Sequence, residues 1–193
     1  MTAATPKGER RRHALVAAAA ELLAEGGLEA VRHRAVAERA GLPLASTTYY
    51  FTSLDDLVAA ALEHEGRAEL AAGRARLDGL ADELRTTEDV VELVLDLLLG
   101  TGSRIGGTEP VLLRYERLVG SPRRPYLAPL MRELTGELKD LLGEILARSG
   151  RPVDREQLDE LIALVDGTVV NALIESDPEP RRAARRTLRR RLG

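Results

Sequence analysis

The sequence predicts an all-α protein, with a three-helix helix-turn-helix head at the N-terminus and a larger helical body behind it. Three observations carry this expectation. Apolar residues recur at helical spacing along almost the whole chain, and no convincing run alternates apolar and polar residues as a half-buried strand would. Start and stop signals separate those runs: Ser53, Thr86, Thr108 and Asp154 ahead of them, Gly26-Gly27, Gly41 and Asp177-Pro178 behind. Near the N-terminus two short helices meet at Gly41-Leu42-Pro43, with an apolar helix on each side.

The first helix is expected over residues 7–25, ending at the paired glycines, which terminate helices strongly. A short helix follows over residues 33–40. Another reaches Tyr50, with Pro43 in its first turn, where a missing N–H would have had no partner. Ser53-x-x-Asp56 is a capping box in outline. It opens a longer helix whose Leu54, Leu57, Val58, Ala61 and Leu62 form one stripe. "TTED" precedes "VVELVLDLLLG", and "TEP" precedes "VLLRYERLVG"; each pair reads as a cap and its helix. A long helix is expected over residues 126–148, with Leu127, Leu130, Leu134, Leu138, Leu141 and Ile145 on one side. Asp154, paired with Gln157, opens the next, which stops at Asp177-Pro178, and a basic segment begins at Pro180. The count is about nine helices. "GTGSRIGGTEP" and "GSPRRP" read as loops, and no repeat of solenoid length is visible. Two domains are expected, residues 1–53 and 54–193.

With 193 residues, 44% hydrophobic and 31% charged, the chain is apolar enough to fold and too interrupted by charge to live in a bilayer. It has no cysteine, which excludes a disulfide scaffold, thiolate catalysis and thiolate-held zinc or iron-sulfur clusters. The net charge of −3 hides a strong asymmetry: residues 1–50 carry +2 and residues 181–193 carry +7, which leaves −12 for residues 51–180. Basic ends on an acidic body mark separate interaction surfaces. "RRRHALVAAAAELLA" has the basic start and apolar run of an export signal, but Glu21 interrupts it and no small-residue cleavage site follows. It is also far short of the roughly 20 residues that span a bilayer. A cytoplasmic protein with no membrane segment is expected.

The stretch "AGLPLASTTYYFTSLDDL" holds two of the four tyrosines and the only phenylalanine. A helix entering the DNA major groove needs a small first turn, and Leu44, Ala45 and Ser46 provide one. It needs hydroxyls within reach of phosphates or bases, as on Ser46, Thr47 and Thr48. It also needs an anchor in the core. Successive helical residues lie about 100° apart, so Tyr49, Tyr50 and Phe51 cannot share a direction. Phe51 is expected in the core, Tyr49 partly buried at the DNA edge, and Tyr50 with its hydroxyl toward a phosphate. Simple packing explains aromatics equally well on composition alone.

"AVAERAGLPLASTTYYFTSLDDLV" resembles the DNA-binding head of the TetR family of transcriptional regulators. A pattern of the form I-A-x-x-A-G-V-S-x-x-x-x-Y-x-[YH]-F-x-[SN]-K-x-x-L is typical there. Val36-Ala37, Ala40-Gly41-Leu42, Tyr50-Phe51, Ser53 and Leu57 fall on its fixed positions. The likeness is specific over residues 10–62 and architectural beyond. It implies base-facing roles for Leu44, Ala45 and Thr48, phosphate-facing roles for Ser46 and Tyr50, and an aromatic platform at Tyr49. It further implies a homodimer on double-stranded DNA at a palindromic operator, an unidentified small-molecule effector held in the body, repression as the output, and dimerisation through the last two helices. Two departures stand out. Leu54 replaces the usual phosphate-holding lysine, and Arg32 replaces the usual threonine. Arg32, His33 and Arg34 are therefore the expected substitute grip on the backbone. An effector-independent DNA-binding or partner-interaction protein is the alternative reading.

Lys7, Arg10, Arg11 and Arg12 form a basic arm; beside such a head, phosphate contact is favoured over a merely solvated helix start. The tail "PRRAARRTLRRRLG" sets arginine rows opposite Ala184, Leu188 and Leu192. It suits an anionic partner, but charge balance favours docking on the acidic body. No catalytic or cofactor motif is present, and His13, His33 and His64 are isolated from further metal ligands, so neither an enzyme nor a metal site nor a cofactor is expected. Polar residues set in apolar helices, Arg114, Tyr115 and Glu116 on one and Asp166, Thr168 and Asn171 on another, are the candidates for lining an effector cavity.

Overall fold

The structure is a computed structural model that describes residues 6–80, 84–105 and 107–193. Among the described residues there are nine α-helices and no strand: α1 Pro6–Ala30, α2 His33–Arg39, α3 Leu44–Tyr50, α4 Leu54–Asp78, α5 Thr87–Leu99, α6 Glu109–Gly120, α7 Ala128–Arg148, α8 Arg155–Ile174 and α9 Pro180–Leu192. None of them is long and apolar enough to cross a membrane.

The punctuation acts largely as expected. Gly26 (φ −142°, ψ 19°) and Gly27 (φ 68°, ψ −168°) leave helical geometry, so α1 breaks at the paired glycines and one further turn follows to Ala30. Pro43 is a shade different: it stands just outside α3 in extended geometry, and Leu44 is the first helical residue. At the start of α4 the Ser53 hydroxyl accepts the Asp56 amide at 3.0 Å, and the Asp56 carboxylate accepts the Thr52 amide at 3.1 Å. Thr86 caps α5 by accepting the Asp89 amide at 3.2 Å. Asp154 and Gln157 form the full reciprocal box on α8, at 2.8 and 3.0 Å. The two glycine-rich breaks tighten into 3-10 turns at Thr101–Arg104, Ser121–Arg123 and Pro125–Leu127.

The chain divides into two compact units, Met1–Ala68 with Glu116–Met131, and Glu69–Tyr115 with Arg132–Gly193. In the first, Leu15, Ala19 and Leu23 of α1 pack with Val31, Val36, Phe51, Leu57, Ala61 and Leu127 into one core. Phe51 is buried as expected.

In the second unit α5 lies at the centre. Val90, Val91, Val94, Leu95, Leu98 and Leu99 are buried among Leu142 and Leu146 of α7, Leu158, Leu161, Val165 and Val169 of α8, and Ala184 and Leu188 of α9. A helix enclosed on most sides reads as a nearly continuous apolar run, which is what "VVELVLDLLL" is. Its acids at i, i+4 and i+8, Glu88, Glu92 and Asp96, face the arginines of α9 as an antiparallel ladder. Arg189 pairs with Glu88; Arg185 donates to Glu92 at 2.5 Å; Arg181 donates to both Glu92 and Asp96 at 2.8 Å. The basic tail therefore docks on the acidic body through its apolar row and its first arginine row together.

Asp96 is the most demanding rung. Its side chain is 3% exposed and also accepts Arg76 and Arg104, each at 2.7 Å. Burial opposes its charged form, but the hydrogen bond from Arg104 and the charges of Arg181 and Arg104 outweigh it, so the carboxyl sits below its ordinary range. Its contribution to stability is therefore complete above the unfolded-state value of about 3.9 and is lost as pH falls through the lower folded value. Asp96→Ala is expected to cost about 3–5 kcal/mol in urea unfolding at neutral pH, because three guanidiniums lose their shared partner. Glu88→Ala, at the exposed end of the ladder, is expected to change little. The difference between Asp96→Ala and wild type should narrow in acid below about pH 4.

Candidate nucleic-acid interface

Residues 33–50 form a helix-turn-helix whose turn is a complete Schellman motif. The Leu42 amide donates to the Ala37 carbonyl at 3.0 Å and the Gly41 amide to the Glu38 carbonyl at 3.2 Å. Gly41 holds φ at 63°, the left-handed geometry that this motif requires. Arg39, in the last turn of α2, reaches back to α1: it donates to Glu25 at 2.7 and 2.9 Å and to Glu21 at 3.2 Å. The hydrogen bond from Arg39 holds the Glu25 carboxyl below its ordinary value. α2 is thus tied to α1 by charge as well as by Val36.

α3 has only seven residues, too few to be stable without tertiary packing. Thr47 and Phe51 face inward one turn apart, 0% and 4% exposed. The Thr47 hydroxyl donates to the Leu44 carbonyl at 2.8 Å, so it is a core residue and not one of the DNA-reaching hydroxyls expected of this stretch. The opposite face presents Leu44, Ala45, Thr48 and Tyr49 to solvent, with Ser46 and Tyr50 half-buried at its sides. The Thr48 hydroxyl donates to the Ala45 carbonyl at 3.2 Å and keeps its lone pairs outward. Tyr49 corrects the expectation of partial burial: it is 81% exposed. Two residues from Thr47 and two from Phe51, it is rotated by about 200° from both and so points away from the core they enter. Its ring meets that of Tyr50 edge-on at 4.8 Å. Tyr50 packs against the head core.

Lys7, Arg10, Arg11 and Arg12 are exposed on the first two turns of α1, so the expected arm is helical. The Arg12 guanidinium lies 5.3 Å from the centre of the Phe51 ring. Arg32 and Arg34 flank the start of α2, exposed, and rest on carboxylates: Arg32 on Glu29 and Arg34 on Glu38, each at 3.0 Å. Exposed pairs of this kind are weak and readily exchanged for another oxyanion. His33 is half-buried, with Nδ1 shielded and without a hydrogen-bond partner among the described residues. Leu54 packs on the head core, while Asp55 and Asp56 surround the start of α4 with negative charge, which disfavours a phosphate there.

The body candidates are only partly brought together. Buried Tyr115 donates to Asp166 at 2.7 Å, and buried Arg114 donates to Glu69 at 2.8 Å. Burial, then the Asp166 charge, pushes the Tyr115 phenol well above its ordinary value, so it remains a donor. Glu116 and Asn171 are exposed and join neither pair, and Glu116 belongs to the first compact unit. Glu69 was not singled out by sequence; a lone acid 45 residues from its arginine carries no local signal.

A helix-turn-helix head with an outward recognition helix, joined to a helical body, defines the class as a DNA-binding regulator. Residues 15–61 match the family described as bacterial regulatory proteins, tetR family, and residues 85–193 match the tetracyclin repressor-like C-terminal domain. The chain belongs to the TetR family of transcriptional regulators, whose members are regulators rather than enzymes. It is similar to the multidrug binding protein EbrR complexed with proflavin, at 30% identity over 93% of this chain and 98% of that one, with a TM-score of 0.68. SCO1917, a TetR family member from Streptomyces coelicolor A3, is 31% identical over 95% of this chain and 98% of that one, with a TM-score of 0.59. A TetR transcription regulator from Haloarcula marismortui shares the fold at 20% identity, covering 95% and 97%, with a TM-score of 0.69. No curated protein matches the chain.

Gly41→Ala is expected to cost about 1–2 kcal/mol, because alanine pays for a left-handed conformation even though nothing obstructs its methyl group. Gly136→Ala, mid-helix in α7 with open space around it, is expected to stabilise by up to about 1 kcal/mol. Urea denaturation of the two variants checks both signs.

Proposed function

We propose that this protein is a transcriptional repressor that binds a palindromic operator as a homodimer in the cytoplasm and leaves it when a small organic molecule binds. Residues 1–53 read DNA; residues 54–193 dimerise and hold the effector. The observation that carries the reading is the two-sided character of α3, with Thr47 and Phe51 anchored inward while Leu44, Ala45, Thr48 and Tyr49 stand in solvent. Leu44, Ala45 and Thr48 face the bases, where apolar contact with thymine methyl groups is available to them. Ser46 and Tyr50 face the phosphates on either side, and Tyr49 lies over the groove edge. Arg32, His33 and Arg34, with Lys7, Arg10, Arg11 and Arg12, supply backbone contact.

Dimerisation uses α8 and α9. Supporting this, α8 leaves Ala163, Leu164, Gly167, Asn171 and Ile174 exposed along one side, a row of mostly small and apolar groups suited to another helix. Asn171 then serves the interface rather than the effector cavity. The effector lies among α4, α6 and α8 in the second unit, where Tyr115, Asp166, Arg114 and Glu69 converge in pairs. The complexes of EbrR with proflavin and with ethidium make planar organic cations the first class to screen. Binding favours a dimer whose heads no longer match major grooves about 34–36 Å apart.

Footprinting on DNA upstream of the protein's own gene is expected to show one protected palindrome; uniform protection over a promoter panel would overturn sequence-specific recognition. Arg34→Ala should weaken binding to all sequences alike and lower the salt slope by about 1, whereas Thr48→Ala should change the preference among sequences. Gly167→Arg should give a monomer in sedimentation with unchanged helicity; a dimer of normal affinity would place the interface elsewhere.

A further inference from the structure

Arg32 and Arg34 flank the start of α2 alike, yet their carboxylates differ. Arg34 and Glu38 form a one-to-one pair with no net charge. Glu29 is shared: its Oε2 accepts Arg32 Nη2 at 3.0 Å and its Oε1 accepts Arg124 Nη2 at 2.9 Å, so the three groups together carry a net positive charge. Arg124 comes from the connection between α6 and α7, 95 positions along the chain, and that connection is docked on the head. Arg124 Nη1 donates to the Gly120 carbonyl at 3.3 Å, and a methyl group on Gly120 would meet Leu28, the neighbour of Glu29, at 3.2 Å. Leu127 is wholly buried in the head core, and Tyr126 beside it is hydrogen-bonded to Asp55. Arg124 is 28% exposed against 61% for Arg32, so Arg124 is the anchored guanidinium on Glu29 and Arg32 the one open to solvent. Arg32 Nη1 has no partner among the described residues.

We infer that Arg124 is a positioning residue for DNA binding: by holding the Glu29 carboxylate it leaves the Arg32 guanidinium free for a phosphate. Without Arg124, Glu29 and Arg32 would neutralise each other as Glu38 and Arg34 do, and a phosphate would have to displace a carboxylate that has no other partner. With Arg124 in place, Glu29 keeps one cation when Arg32 turns to the phosphate, so the exchange strands no charge. Arg124 itself touches no DNA in this role. The role presupposes that Arg32 meets a phosphate, the contact proposed for it above.

Phosphate contact acts on every sequence, so the probe is a fluorescein-labelled random-sequence DNA duplex, whose anisotropy is followed as full-length protein is added at several KCl concentrations. Arg124→Gln is expected to weaken binding by up to about fivefold, the reach of one exposed ion pair, and to lower the salt slope by up to about 1. Two double variants separate the causes. Arg124→Gln combined with Glu29→Gln should return to wild-type affinity or tighter, because no carboxylate then claims Arg32; an arginine that only holds the connection in place would leave the loss unrescued. In an Arg32→Gln background, Arg124→Gln should have no further effect. If circular dichroism shows that Arg124→Gln does not fold, Glu29→Gln alone carries the test: it should tighten binding, and far less once Arg32 is replaced. An unchanged affinity in folded Arg124→Gln, an unrescued loss, or a full loss in the Arg32→Gln background would each overturn the role of Arg124 and leave the DNA reading standing. A wild-type protein with no salt-dependent affinity for the duplex would sink the DNA reading, and this role with it.

Discussion

The carboxylate of Asp96 cannot be buried by itself, and much of the second unit is arranged around that fact. An isolated charge removed from water costs far more than any single contact returns, so it needs several cationic donors at once. Arg76 comes from α4, Arg104 from the turn after α5 and Arg181 from the first turn of α9. One buried acid thereby ties three separate segments to α5. The remainder of the ladder, Glu92 with Arg185 and Glu88 with Arg189, continues the register outward to solvent, where each pair matters less. Apolar packing along α5, α8 and α9 supplies the attraction between the helices; the ladder selects one alignment of α9 among those that the apolar row alone would accept.

The head solves a different problem. A seven-residue helix has little stability of its own, yet it must hold a polar and partly apolar face rigidly toward solvent. The solution divides the helix by side: two inward residues one turn apart, a Schellman turn before them, and the Phe51 ring at the end. Arg39 adds a bridge from α2 to two acids of α1, so the motif is fixed to its supporting helix by charge as well as by packing.

Helix identity and most helix ends were legible in the sequence because their causes are local. Ser53, Thr86 and Asp154 each bond an amide three residues away, a spacing visible by eye. The glycine pair breaks α1 for reasons of backbone geometry alone. What depends on distant residues was not legible. Asp96 carries no local signal of its role, because its arginines lie 20, 8 and 85 positions away. The misplacement of Tyr49 and Thr47 has another origin: in so short a helix one residue of phase decides between core and solvent, and composition does not specify the phase. Tyr115 and Glu116 show the same limit, since neighbours in sequence turn about 100° apart and end in different units.

The scarcity of aromatic residues gives the protein an optical property. With no tryptophan, its near-ultraviolet emission comes from four tyrosines in distinct surroundings. Tyr49 and Tyr50 lie side by side on the recognition helix, one of them almost fully in solvent. Tyr115 is buried with its hydroxyl on a carboxylate, an arrangement that quenches a phenol. Tyr126, 37% exposed, lies beside the Asp55 carboxylate and is partly quenched in the same way. The brightest part of the spectrum therefore belongs to the helix that would meet a nucleic acid, and the dark part to Tyr115 of the body. Unlabelled protein carries its own reporter, in which a change at α3 dims the emission and a rupture of the Tyr115–Asp166 hydrogen bond raises it.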